Sequence, residues 1–225
     1  MADRFPAAGS QLERYATRFG AVEINSTFYR PHRPQTYQRW AAVTPKDFRF
    51  AVKAPKTITH ERRLADCGSL VQAFLDQVGW LGDRLGPILV QLPPSLAFDP
   101  GVAASFFTDL RGRFSGPVAC EPRHSSWFEP AADQLLAAHR IARVAADPAR
   151  DPRAATPAGW PDFAYVRLHG SPRIYYSAYG PERLAALART IGRRAAETWI
   201  IFDNTALGAA SEDALALGEI LADGP

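Results

Sequence analysis

The chain has 225 residues, of which 47% are hydrophobic, and its formal net charge is +3. This length suits a single α/β barrel, and the apolar fraction can fill a sizeable core. No apolar run reaches the ~18 residues of a membrane-spanning helix, and the opening MADRFPAAGS lacks the apolar stretch of a secretory signal. We therefore expect one domain over residues 1–225, cytoplasmic and outside any membrane, with Cys67 and Cys120 as buried thiols.

Short β-branched or apolar runs alternate along the chain with stretches of helical spacing. The runs predict seven strands, and alternation of strands with helices predicts βαβ units with a parallel sheet. The glycine fingerprint of dinucleotide-binding folds and the P-loop pattern are both missing, which favours a TIM-type (β/α) barrel over an open sheet. The predicted helices are 11–19, 35–42, 69–85, 102–113, 131–138, 182–194 and 209–221, and the predicted strands are 22–29, 48–55, 87–93, 117–124, 142–147, 163–170 and 198–204.

An eight-stranded barrel needs one strand more than these seven. The chain opens directly into a helix-like segment, so the expected barrel lacks its first strand. The charge is also unevenly spread, because residues 30–63 hold nine Lys/Arg and two Asp/Glu, a local net of +7 that leaves −4 for the rest. This asymmetry favours an anionic partner near that segment, with a solvated basic face as the alternative.

Polar residues occur near the C-terminal end of each predicted strand. In a barrel the outer strand face packs on helices, so a polar side chain within a strand should point to the interior. Barrel active sites lie at these strand ends, and strand alternation sets the phase. The residues predicted to face inward are Glu23, Asn25, Lys53, Gln91, Glu121, Arg123, Asp147, Arg167 and His169, with either Asp203 or Asn204 in the last strand.

The loops that follow the strands are rich in aromatic residues. Such side chains can wall a ligand pocket, although packing within the loops is the alternative for several of them. The candidates are Phe28, Tyr29, Trp127, Tyr175, Tyr176 and Tyr179.

Six motifs, VEINSTFYR, FRFAVKAPKTITHERRL, GPILVQLPP, CEPRHSSWF, YVRLHG and FDNT, occur in this order between residues 5 and 214. On these motifs the chain resembles the domain of unknown function 72 (YecE-like) family. The resemblance implies a TIM-type barrel and brings no assigned activity. It adds Thr59, His60 and Gly170 to the candidate positions and favours Asn204 as the inward residue of its strand. Members usually open with a strand reading like IGTSGW or IGTAGW, so this chain is either a shortened member or starts too far downstream.

The inward residues favour an enzyme that acts on a substrate bearing a phosphate or carboxylate. Arginine forks suit such groups, and His169 is the natural proton carrier near neutral pH. We assign Glu23, Lys53, Glu121 and His169 to catalysis, with Glu121 and His169 as the acid–base pair. The residues assigned to substrate binding are Asn25, Tyr29, His60, Gln91, Arg123, Trp127, Asp147, Arg167 and Asn204.

Two other functions stay open at this point. A metal-dependent phosphodiesterase or nuclease could use Glu23, Glu121, Asp147, His169 and Asp203 as ligands. One inward histidine and three nearby cations argue against it, so no metal is predicted. A non-catalytic binder of nucleic acid or a nucleotide could use the basic segment, with Tyr29, Tyr37 and Trp40 stacking on bases. The residues indicate neither a cofactor nor an oligomeric state.

Overall fold

The structure is a computed structural model that describes residues 4–192 and 197–223. Helices and strands alternate through these two ranges. A capping box begins the first helix, in which Ser10 accepts from the Glu13 N–H and the Glu13 carboxylate accepts from the Ser10 N–H. The α-helices are α1 Gln11–Ala16, α2 Pro34–Ala42, α3 Gly68–Val78, α4 Pro100–Arg113, α5 Pro130–Ala138, α6 Pro181–Gly192 and α7 Ala209–Ala222.

The strands are short and β-branched or apolar in composition, as expected for strands covered on both faces. They are β1 Ala21–Ile24, β2 Arg49–Lys53, β3 Leu85–Gln91, β4 Val118–Glu121, β5 Ile141–Arg143, β6 Ala145–Asp147, β7 Ala158–Gly159, β8 Phe163–Leu168 and β9 Glu197–Phe202. Shorter 3₁₀ turns lie at Ser26–Phe28, Gly79–Arg84, Ser125–Phe128 and Pro152–Ala155, and a π-helical turn lies at Thr57–Glu61.

The strands pair in two sheets that a single segment connects. One sheet has the order β1-β2-β3-β4-β5-β7, parallel except for the antiparallel β7, and the other has the parallel order β6-β8-β9. Only Val144 separates β5 from β6, and its N–H donates to the Cys120 carbonyl at 2.8 Å. The predicted α/β fold with parallel strands is thus confirmed. Among the described strands the order ends at β1 and β9, which do not pair with each other, so a closed barrel is not observed.

The two end strands differ from the central ones in burial. Strands β2, β3, β4 and β8 are buried along almost their whole length, whereas most residues of β1 and β9 are only half-buried. A groove lies between the two end strands, lined from the sides by α1 and α7. The edges of the sheets are therefore open along this groove.

Successive strand residues point to opposite faces, as the pleat requires. Outward side chains pack against the helices, and inward ones, among them Leu89 and Tyr165, form a separate interior cluster. Trp199 of β9 crosses this interior and stacks on Tyr165, with ring centroids 6.2 Å apart. It reaches Gly86 of β3, where an added Cβ would lie 3.0 Å from the Trp199 Cη2. The interior below the strand ends is therefore filled by aromatic rings.

Some element boundaries differ from the predicted ones. The predicted strand 22–29 ends at Ile24, because Asn25 starts a 3₁₀ turn. The predicted helix 69–85 ends at Val78, because Gly82 takes a left-handed φ of 55° within the turn that follows. Residues 193–194 of the predicted helix 182–194 lie outside the described residues.

Candidate functional site

The Arg167 side chain lies at the carboxyl end of β8 and is 1% exposed. Its Nε and Nη2 donate to the two oxygens of Glu23 on β1, at 3.1 and 2.7 Å. Its Nη1 donates to Glu121 Oε2 at 2.8 Å and lies 3.4 Å from His169 Nε2. Nη2 also donates to Asp203 Oδ2 at 3.2 Å. All five N–H groups of this guanidinium therefore have a protein acceptor, so Arg167 holds three carboxylates and keeps no donor for a ligand.

Glu121 ends β4 and is 2% exposed. Besides Arg167, its Oε2 accepts from Gln91 Nε2 at 2.9 Å, and its Oε1 accepts from Arg123 Nε at 3.2 Å and Nη2 at 3.1 Å. Burial alone would raise the pKa of this carboxyl, but the surrounding cations, Arg167 first, lower it to about 2. Glu121 is therefore a permanent anion near neutral pH, which fits it to hold cations in place and not to exchange protons.

His169 follows β8 and lies beside the acidic group of the last strand. Its Nδ1 is 3.0 Å from Asp203 Oδ2, and its side chain is 8% exposed. A carboxylate can only accept, so Asp203 fixes the proton on Nδ1 and leaves a lone pair on Nε2 in the neutral ring. Nε2 lies 3.9 Å from Glu121 Oε1, beyond hydrogen-bond distance. Asp203 thus orients the ring, and Nε2 accepts a long hydrogen bond of 3.4 Å from Arg167 Nη1.

Lys53 ends β2 and is 9% exposed. Its Nζ lies 4.2 Å from the centre of the Phe28 ring, a cation–π contact. Among residues 4–192 and 197–223, no carboxylate oxygen lies within 4.0 Å of Nζ, and no acceptor is hydrogen-bonded to it. Burial is the main cause that lowers the pKa of Lys53 to about 8, with Arg167 adding to it. This ammonium group is therefore buried without a counter-ion in direct contact.

Arg123 and His60 lie close enough to Lys53 to interact with its charge, and because both are half-buried we call them the open side of the site. The Arg123 side chain is 28% exposed, and its Nη1 has no acceptor in the described part of the chain. His60 Nδ1 lies 2.8 Å from the Thr59 hydroxyl, and its ring packs on Phe28 at 4.9 Å. Burial, with the charges of Lys53 and Arg123, lowers the pKa of His60. The open side of the site is thus lined by groups that donate hydrogen bonds or carry positive charge.

Two residues assigned to substrate binding lie outside this site. Asp147 was predicted to face inward, but Val144 takes the inward phase, so Asp147 faces outward and forms an ion pair with Arg183 of α6. Asn204 was preferred over Asp203, yet its Nδ2 donates to the Ser177 carbonyl at 3.0 Å and to Asp213. Asn204 is fully buried beneath the loop that follows β8. The prediction that Asn204, in preference to Asp203, faces the site was therefore wrong.

The aromatic loop residues are divided between packing and exposure. Trp127 is 1% exposed, donates from Nε1 to the Leu96 carbonyl at 3.0 Å and packs on Phe98, so it supports a loop. Tyr29 is 74% exposed and contacts the outer edge of Phe28. Phe28 lies in the site against Lys53, and the centre of the Tyr175 ring is 6.0 Å from that of His169. Loop packing therefore accounts for Trp127.

Tyr179 is buried and serves the loop as well, because its hydroxyl accepts from the Gly170 N–H at 3.0 Å. Tyr176 stacks on the guanidinium of Arg173 at 3.8 Å, on the outside of the same loop. Asn25 lies beside the groove between β1 and β9, and its buried Oδ1 has no hydrogen-bond partner among residues 4–192 and 197–223. Tyr179 and Tyr176 thus belong to the loop that follows β8.

Sequence reasoning missed Tyr165, whose hydroxyl donates to Glu23 Oε2 at 2.8 Å. Tyr165 is two residues before Arg167 on β8, so continuing the alternation backwards by one step would have found it. Burial raises the pKa of Tyr165 well above its usual range, and the phenol therefore stays a hydrogen-bond donor to Glu23.

Neither a metal centre nor a membrane span is found in the described residues. Within residues 4–192 and 197–223, no three His, Cys, Asp or Glu side chains are grouped so that they could hold a metal ion. The same ranges contain no helix with both the length and the apolar character to cross a bilayer.

The fold and the site define the chain as an α/β protein with parallel strands and a charged cluster where those strands end. A family model described as "Protein of unknown function DUF72" matches residues 3–224, and the chain belongs to this family. It is 38% identical over 120 residues to the UPF0759 protein YecE of Escherichia coli K12, a match covering 53% of this chain and 43% of YecE. It is 28% identical over 130 residues to the UPF0759 protein YunF of Bacillus subtilis 168, covering 55% and 46%.

Solved structures of the same family share the fold. A DUF72-family protein of Enterococcus faecalis V583 superimposes with a TM-score of 0.81 and 22% identity, covering 98% of this chain and 91% of that one. A DUF72-family protein of Thermotoga maritima MSB8 gives a TM-score of 0.78 and 27% identity, covering 96% and 92%. The matched segments span less than half of the length of YecE and of YunF.

Proposed function

We propose that the chain is an enzyme that binds an anionic small molecule, carrying a phosphate or carboxylate, at the open side of the charged cluster. The cluster holds as many cations as carboxylates, but their hydrogen bonds are unevenly distributed. The cations are Lys53, Arg123 and Arg167, and the carboxylates are Glu23, Glu121 and Asp203. An arginine binds each of these three carboxylates, and in the described part of the chain the ammonium of Lys53 and Nη1 of Arg123 have no acceptor. This unmatched pair of cations carries the proposal, because spare donors in a partly dry site favour an anion.

The proposed roles differ from residue to residue. His169, with its tautomer fixed by Asp203, is the acid–base group, and Lys53 and Arg123 receive the anion. Glu121, Glu23 and Gln91 hold the arginines, so the sequence-based pairing of Glu121 with His169 in proton transfer is replaced by His169 alone. The strand order and the interior aromatic cluster also support the proposal that the strands form a TIM-type barrel, open between β1 and β9.

The alternative functions have less support. A metal-dependent phosphodiesterase needs carboxylates that are free to bind a metal, whereas the three in the site are held by arginines. A nucleic-acid binder would use exposed residues such as Tyr29 and the basic segment 30–63, and its binding would weaken steeply with salt.

A thermal-shift titration tests the proposal. Phosphate, sulfate, citrate or a nucleotide at millimolar concentration should raise the melting temperature of the wild type by mass action. The Arg123→Ala variant should lose this shift, whereas Arg183→Ala, which removes an exposed arginine outside the cluster, should keep it. The absence of a shift with all four anions in the wild type would overturn the proposal.

A further inference from the structure

Lys53 has the surroundings of a reactive amine and lacks those of a structural counter-ion. A lysine that serves as a counter-ion sits within hydrogen-bond distance of a carboxylate. Lys56 does so in this chain, with its Nζ 3.2 Å from Glu61 Oε1 on the surface. Lys53 is buried, and within residues 4–192 and 197–223 its Nζ contacts the face of the Phe28 ring and no carboxylate.

The neighbours of Lys53 are already satisfied by other groups. Glu121 and Glu23 accept from Arg167, and Glu121 also accepts from Arg123 and Gln91. Glu121 therefore has four acceptor sites occupied, and Glu23, which also accepts from Tyr165, has three. Within the described residues, neither carboxylate accepts a hydrogen bond from Lys53. Burial favours the neutral amine most, and the nearby guanidinium groups add to this effect, whereas the charges of Glu121 and Glu23 favour the ammonium form.

We propose that Lys53 attacks a carbonyl group of the anionic substrate and forms an imine, so that the substrate class is a keto or aldehyde compound bearing a phosphate or carboxylate. The anionic part rests on the proposed function, with Arg123 as its partner. A new bond joins Nζ to the carbonyl carbon, and the carbon–oxygen bond breaks. Both amine protons leave with the oxygen as water, so the step balances without an oxidant or reductant.

The chemistry needs a neutral amine at working pH. With the pKa of Lys53 at about 8, roughly a tenth of the molecules carry the neutral amine at pH 7, far more than for an ordinary lysine. The imine, once protonated, again places a positive charge beside Glu121 and Glu23. The site can therefore stabilise the product of the attack with carboxylates that are already in place.

The chain offers a direct assay because it contains only three lysines, Lys46, Lys53 and Lys56. We would incubate the wild type with pyruvate or dihydroxyacetone phosphate, reduce with borohydride and map the adduct by peptide mass spectrometry. Lactate and glycerol 3-phosphate serve as matched anions without a carbonyl group. The expected result is an adduct on Lys53 with a carbonyl compound, at least tenfold above Lys46 and Lys56, and no adduct with the two alcohols.

Two results would overturn the imine proposal. One is equal labelling of the three lysines, and the other is no labelling of Lys53 by either carbonyl compound. If the four anions of the thermal-shift titration still stabilise the protein in the second case, anion binding stands and only the imine fails. If they do not, both proposals fail. Labelling is read in the wild type, so the outcome does not depend on whether a variant folds.

A second measurement tests the protonation state of Lys53 independently of imine formation. The rate of modification of Lys53 by trinitrobenzenesulfonate, mapped by peptide mass spectrometry, should rise with a midpoint near pH 8. A midpoint near the ordinary lysine value of 10.5 would contradict the proposal. The Lys53→Arg variant, which keeps a positive charge but has no amine that can form an imine, should lose the borohydride-trapped adduct.

Discussion

Arg167 and Lys53 are both buried cations on the inner strand face, and they differ in what surrounds their nitrogen atoms. Each of the five N–H groups of Arg167 has an acceptor. The acceptors are the side chains of Glu23, Glu121, His169 and Asp203. Lys53 contacts a phenyl ring and, as far as residues 4–192 and 197–223 show, no carboxylate. A saturated cation fixes its partners, whereas an unsaturated one is available to a ligand, and each variant below tests this difference.

The largest expected effect is that of Arg167→Met. Removing this guanidinium leaves Glu23, Glu121 and Asp203 buried close together without their shared cation, which should cost about 3–5 kcal/mol in the free energy of unfolding. Urea denaturation measures this cost. Arg167→Lys, which restores a charge but not the fork geometry, should recover only part of it. A variant as stable as the wild type would show that the ion pairs add nothing to stability.

Lys53→Met, unlike Arg167→Met, is expected to raise the free energy of unfolding at neutral pH. The folded chain releases the Lys53 proton at about pH 8, whereas the ordinary value is 10.5. Between these values the unfolded chain binds more protons, so the stability of the wild type rises with pH. The methionine variant should therefore be more stable by about 1–3 kcal/mol at pH 7, and this advantage should shrink as pH rises from 8 to 10.5.

Denaturant midpoints at pH 7, 8.5 and 10 measure this trend, with Lys56→Met as the matched control on the surface. Lys56 is half exposed and paired with Glu61, so its replacement should change the denaturant midpoints little. A constant difference between Lys53→Met and the wild type across this range would show that the charge of Lys53 carries no penalty in the folded protein.

The smallest effect is expected for Asp147→Asn. Its partner Arg183 is 48% exposed, so the pair is a surface ion pair worth less than ~1 kcal/mol. Because Asp147 faces away from the inner strand face, the thermal shift by phosphate should stay unchanged. A loss of that shift would mean that Asp147 belongs to the site after all, contrary to its placement in the structure.

Strand alternation predicted most of the cluster from the sequence. It placed Lys53, Gln91, Glu121, Arg167 and His169 on one face, because each of them stands beside bulky apolar neighbours that define the outer face. The physical basis is the cost of burying a polar group against an apolar helix layer. These five side chains do lie together at the strand ends.

Strand alternation failed to predict which way a side chain faces where the neighbouring residues in the sequence fit either face of the sheet. Asp147 follows two alanines, which fit either face of a sheet, so the inward phase of Val144 was not visible. In the segment IIFDN every residue before Asp203 is apolar, and the choice of Asn204 came from the family resemblance alone. Pairings between distant strands, such as Tyr165 with Glu23, depend on how the sheets curve, which a local pattern does not contain.

The contact between Gly86 and Trp199 lies in the apolar interior and is connected through Tyr165 to the charged residues Glu23 and Arg167. A methyl group on residue 86 would meet the indole at 3.0 Å and the Phe50 carbonyl at 3.2 Å. The indole lies flat against Tyr165, whose hydroxyl holds one oxygen of Glu23. If the indole moved, Tyr165 would have to move with it, and so would Glu23 and its partner Arg167, because these groups are closely packed. Glycine at position 86 therefore leaves the room that Trp199 needs, and the positions of the charged residues depend on it.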